Sequence, residues 1–148
     1  MLDDDFLDDE QSSMEELLGR YEEVKQGTAS YLLQEEEFEQ IIEFYFQGSN
    51  EEQALLACEI AATYYPFSGD ILLLKAEILT QAQKYGQALN ILDEIDQLDQ
   101  CSLDAVLLRS DIFLSQYKYD QAAALLEQKA DDFVGKDRTE LLLELADV

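Results

Sequence analysis

Apolar residues recur three or four apart in one segment after another, and the spacing predicts a chain made of helices. Met14, Leu17, Leu18, Tyr21 and Val24 form one stripe; Ser12 or Ser13 stands where a cap belongs, and Glu15 and Glu16 fall in the opening turn that favours anions. Gly27, Thr28, Ala29 and Ser30 break that helix. A second starts near Gln34, carries Phe38, Ile41, Ile42, Tyr45 and Phe46, and ends at Gly48, Ser49 and Asn50. Its partner runs from about Glu51 to Tyr65, presents Ala54, Leu55, Cys58, Ala61 and Ala62, and is closed by Pro66. Asp70 is placed to cap a helix with Leu72, Leu73, Ala76 and Leu79, and a turn near Gln83 leads to one lined by Leu89, Leu92 and Ile95. Val106, Leu107, Ser110, Phe113 and Leu114, then Ala122, Leu125 and Leu126, repeat the plan from about Leu103 to Phe133. The segment from Arg138 to Val148 reads as one more apolar helix.

The segments share a fixed offset. Ala54, Ala88 and Ala122 stand 34 residues apart, as do Phe38, Leu72 and Val106, and Tyr45, Leu79 and Phe113. Lys84, Tyr85 and Gln87 are matched by Lys118, Tyr119 and Gln121, and Cys58 falls where Leu92 and Leu126 fall. A period of this size marks a solenoid, in which each unit buries its apolar face against its neighbours. If Ala146 takes the part of Ala76 and Ser110, two extra residues enter in the loop around Val134 to Lys136.

These residues resemble the tetratricopeptide repeat (TPR), whose unit has a small residue midway along its first helix, an aromatic opening the second, an alanine soon after and a proline at the exit. Ala76 and Ser110 take the small site, Tyr85 and Tyr119 the aromatic, Ala54, Ala88 and Ala122 the alanine, and Pro66 the proline. Ile42 at the first small site, Lys75 and Arg109 just before the next two, and Gln100 at the exit depart from the pattern. The resemblance implies an all-α fold, a right-handed superhelical stack of antiparallel helix hairpins. The domains expected are an acidic disordered tail over 1–12, an N-terminal helix and connector over 13–34, and repeats over 35–68, 69–102 and 103–136. The first helix of a fourth repeat follows over 137–148, and its apolar character points to an N-terminal fragment of a longer bacterial TPR protein.

Charge narrows the partners. The chain has 34 acidic and 9 basic side chains, a net charge of -25, which opposes binding to nucleic acid or an anionic membrane and favours basic protein segments. Asp3, Asp4, Asp5, Asp8, Asp9 and Glu10 form a leading acidic run. The absence of a basic-then-apolar leader and of any membrane-length apolar stretch points to the cytoplasm. Cys58 and Cys101 read as thiols, since neither sits in a redox or zinc spacing.

The chemistry is sparse. There is no histidine, so histidine triads and histidine-ligated zinc are excluded, and no phosphate loop, nucleotide fingerprint or calcium loop occurs. No cofactor, metal or catalytic residue is expected. The acids do show one regularity: Glu43, Glu77 and Asp111 lie 34 apart, just after the small site. Helical spacing adds Glu39, Leu73 and Leu107 on one side and Phe46, Thr80 and Leu114 on the other. The resemblance implies that this stripe looks into a concave groove, which would suit a basic, partly apolar segment. Alternatively, these acids pair with Lys75 and Arg109 within the scaffold. The favoured function is a non-enzymatic interaction scaffold or adaptor. A small acidic chaperone that shields an apolar client, as in bacterial secretion systems, is the alternative, and an acidic mimic of nucleic acid ranks third. A homodimer through the N-terminal helix or the exposed C-terminal helix is a further expectation.

Overall fold

A computed structural model describes residues 2–100 and 102–148, and for residues 2–12 the backbone alone. The described residues form eight α-helices and no strand: α1 Leu2–Gln26, α2 Glu35–Gln47, α3 Glu51–Tyr64, α4 Gly69–Gln81, α5 Tyr85–Gln97, α6 Leu103–Ser115, α7 Tyr119–Ala130 and α8 Gly135–Asp147. The period is written in their boundaries. Helices α2, α4 and α6 are offset by 34 residues at both ends, and α3, α5 and α7 open at the same interval.

One backbone device closes each hairpin. Ser49, Gln83 and Tyr117 adopt left-handed conformations with φ of 59°, 62° and 60°. The next N–H then donates to the carbonyl five residues back, Asn50 to Tyr45, Lys84 to Leu79 and Lys118 to Phe113, each at 2.8 Å. This Schellman closure satisfies carbonyls that a helix end leaves open. Asp99, with φ of 56°, repeats it between α5 and α6. None of the four is glycine, so each bears the steric cost of a Cβ in that region.

The chain divides into two compact units, one ending at Leu74 and the other beginning at Lys75, within α4. In the first, α2 packs on α3 and α1 covers α2. Leu17, Tyr21 and Val24 of α1 are buried with Leu33, Phe38, Ile41, Ile42, Ala54, Ala57, Cys58 and Ala61. Phe38 stacks on Tyr64 and meets Tyr65 edge-on, and the Tyr65 hydroxyl donates to the Leu33 carbonyl at 2.7 Å. Glu37 joins two elements. One carboxylate oxygen accepts the Gln34 backbone N–H at 2.9 Å, completing the capping box of α2, and the other accepts Arg20 of α1 at 2.6 Å. The Arg20 guanidinium also lies over the Tyr31 ring at 5.2 Å.

In the second unit α6 packs on α7, α7 on α8 and α5 on α6. Ala88 and Ala122 are fully buried, like Ala54 in the first unit, and so are Ala76 and Ser110 at the small site. Val106, Leu126 and Leu141 form a core joined by Leu103, Leu107, Leu125, Phe133 and Leu145.

Four expectations change. Helix α1 starts at Leu2, so residues 2–12, expected as a disordered tail, are helical; Asp3, Asp4 and Asp5 fall in the first turn, where the dipole favours anions. Ser68, not Asp70, caps α4, because its hydroxyl accepts the Ile71 N–H at 3.2 Å. Leu141, not Ala146, enters the core from α8; Ala146 is exposed, and α8 opens 32 residues after α6, so no two-residue insertion precedes it. The stripe of α1 is covered within the chain by α2, which removes it as a free dimer face. Cys58 is a buried thiol, and Cys101 lies outside the described residues.

Two substitutions test this packing. Gln83→Gly removes the Cβ from a left-handed turn and should raise unfolding free energy by about 0.5–1 kcal/mol in urea titrations, the steric relief exceeding the entropy glycine adds to the unfolded chain. Ser110 is fully buried and its hydroxyl has no hydrogen-bond partner. Ser110→Ala, which copies Ala76, should stabilise by about 1 kcal/mol, measured the same way.

Candidate functional site: an acidic stripe on the hairpin helices

The predicted stripe is divided between the two units. In the first, Glu39, Glu43 and Phe46 lie on α2 and Leu73 on α4; Glu43 is exposed and the other three are half-buried. Glu39 has acidic company, since ligand oxygens of Glu35, Glu39 and Asp70 lie within 4.8 Å of one another. Burial raises the Glu39 pKa, and Asp70, Glu35, Glu36 and Glu43 raise it further. The Ser68 hydroxyl donates to Glu35. Three carboxylates this close concentrate negative charge at the start of α2 and α4, which burial and mutual repulsion make costly to keep fully ionised.

In the second unit, Glu77 and Thr80 lie on α4, and Leu107, Asp111 and Leu114 on α6. The Thr80 hydroxyl is turned onto its own helix, donating to the Ala76 carbonyl at 2.7 Å. Leu107 belongs partly to the α6–α7–α8 core. Asp111 meets an acid absent from the predicted set. Glu144 of α8 has a raised pKa, first through burial and then through Asp111, Asp147 and Glu140. Although Asp111 is exposed as a residue, burial around its carboxyl group raises its pKa too. Sequence phase missed Glu144 because the register expected of α8 put Ala146 inside.

Arg109 does not neutralise this stripe. Its guanidinium forks onto α5, with Nη1 3.0 Å from Asp93 and Nη2 3.0 Å from Asp96, and the side chain is only 16% exposed. Residues 109 and 111 are two positions apart and point to nearly opposite sides of the helix. The spacing of Asp93 and Asp96, one turn apart on α5, was the available signal for this fork. Beside it lies a cavity of about 30 Å³ bordered by Leu92, Asp96, Val106 and Lys129. The stripe's chemistry is therefore that of clustered carboxylates beside half-buried leucines, able to accept hydrogen bonds from cationic groups.

The chain matches no protein-family model and no curated protein. What the coordinates carry is an eight-helix architecture with an internal 34-residue period among the described residues, and no described helix is long and apolar enough to cross a membrane.

The raised carboxyl groups make stability depend on pH. A carboxyl whose folded pKa lies above its unfolded value binds protons better in the folded state, so its stabilising contribution is complete at acid pH and is lost as pH rises through the folded value. Glu39, Asp111 and Glu144 all shift in that direction. The thermal midpoint should rise on mild acidification from neutral pH. Asp111→Asn with Glu144→Gln should raise the midpoint at neutral pH and flatten the dependence, as calorimetry across that range would register.

Proposed function

We propose that this chain is a non-enzymatic interaction scaffold or adaptor whose hairpins stack into a right-handed, TPR-like superhelix, and that a basic, partly apolar partner segment lies along its first-position helices. The observation that carries this reading is the approach of Asp111 and Glu144, whose carboxyl groups both have raised pKa values while Arg109 is held by α5. Carboxyl groups made costly to ionise, by burial at Asp111 and by burial and like charge at Glu144, gain from a cation arriving on a partner, and half-buried Leu107 and Leu114 on the same helix as Asp111 offer apolar contact. Charge then sets the encounter rate and the apolar surface sets most of the affinity.

Exposed Leu142 and Leu143 on α8 favour a second reading, a small acidic chaperone that covers an apolar client. Salt separates the two. Fluorescence anisotropy with a labelled peptide of alternating lysine and leucine should give binding that weakens as salt is added, and Glu77→Lys with Asp111→Lys should reduce affinity about tenfold at low salt. Unchanged affinity in that variant would remove the stripe as the binding surface, and tight, salt-independent binding of an uncharged apolar peptide would favour the chaperone.

A further inference from the structure

The C-terminal end of α2 departs from the later repeats. Phe44 stands 34 and 68 residues before Ile78 and Ile112, which are 1% and 0% exposed, yet it is 43% exposed itself. Its ring meets Tyr45 with centroids 5.5 Å apart and planes at 72°, and Tyr45 leans on the buried ring of Tyr21 at 6.3 Å. The inner ring thus backs one wall of an aromatic corner. Phe44, Tyr45, Gln47, Gly48 and Asn50 border an open depression of about 470 Å³ there.

Negative potential reaches this corner from three sources. Glu22 of α1 lies close enough to Tyr45 to raise its hydroxyl pKa, second to burial. Glu43, exposed, directly precedes Phe44. The corner also sits at the negative end of the α2 dipole, and the last turn of α2 has no basic residue. Lys25 stands 3.7 Å from Glu22 and 3.4 Å from Gln53, so it offsets part of the Glu22 charge and leaves Glu43 and the helix end as the larger sources.

Size and charge together select the occupant. Gln40, one turn earlier on α2, is exposed where half-buried Leu74 and Leu108 stand in the later repeats, so the apolar surface is a single corner and fits one side chain better than a helix. A second copy of the chain would bring its own net charge of -25 and be repelled. We propose that this corner seats an arginine side chain of a partner segment, its guanidinium against the rings of Phe44 and Tyr45 in the field of Glu22 and Glu43. Arginine suits it better than lysine because the guanidinium is planar, weakly hydrated and stacks on aromatic faces.

Titration of the ¹⁵N-labelled full chain with acetyl-arginine-amide should shift the amide resonances of Phe44, Tyr45 and Gly48 saturably. Acetyl-citrulline-amide, which has nearly the same shape and no charge, should leave them in place. Phe44→Ala should weaken the arginine response at least about threefold, while Phe44→Tyr preserves it. Circular dichroism checks that Phe44→Ala folds, and the exposed Glu43→Gln, expected to weaken the response as well, decides the matter if it does not. Asp111→Lys leaves this response unchanged, so the corner fails separately from the Asp111 and Glu144 part of the acidic stripe, with Glu43 common to both. Equal shifts from citrulline, arginine shifts spread evenly over acidic residues of both units, or folded Phe44→Ala and Glu43→Gln proteins that both respond like the unaltered chain would overturn the seat.

Discussion

Each hairpin of this molecule depends on a small side chain buried at one fixed phase of its second helix, where bulk would hold packed helices apart. Ala54, Ala88 and Ala122 are all fully buried at one phase of α3, α5 and α7. The small-site series on the first helices is less uniform, with Ile42, Ala76 and Ser110 equally buried at one phase of α2, α4 and α6. The alanine series is constant, whereas this one ranges from a methyl through a hydroxymethyl to an isoleucine. Cys58, Leu92 and Leu126, one turn beyond the alanines, fill the adjoining space in side chains of different volume. The alanine carries the geometry and its neighbours adapt to it.

Most of the fold was legible because the same information is written three times. Helix limits, turn positions and inward residues repeat at one offset, so an ambiguous signal in one repeat is corrected by the others. Two of the errors fall at the ends of the repeat array. Helix α1 has no counterpart, and its opening run of acids reads as repulsion until the dipole at its first turn is weighed. At α8 the alanine at 146 invited an alignment that Leu141 overrules by burying a larger apolar side chain. The expected cap of α4, Asp70, falls two residues late: the Ser68 hydroxyl serves the Ile71 N–H while donating to Glu35, and Ser102, 34 residues on, caps α6 in the same way. The stripe was half legible for a related reason: Asp111 follows from helical phase, whereas Glu35, Asp70 and Glu144 matter through where other residues bring them.

With so few cations, their placement has structural weight. Arg20 joins α1 to Glu37, and Arg109 joins α6 to two aspartates of α5. Lys25, Lys129 and Arg138 make longer contacts, at 3.7, 3.9 and 3.7 Å, of the kind that contributes little in water. The two arginine contacts gather helices, and much of the acidic surface is left to face solvent.

Glu37 has a consequence for how the first unit comes apart. One carboxylate starts α2 through the Gln34 amide and restrains α1 through Arg20, so the two events share a residue. Arg20 holds one oxygen of the group whose other oxygen closes the first turn of α2, so losing α1 removes a restraint on that side chain. The N-terminal helix and the first turn of its neighbour are thereby tied to one side chain, so that the docking of α1 steadies the very carboxylate that begins α2.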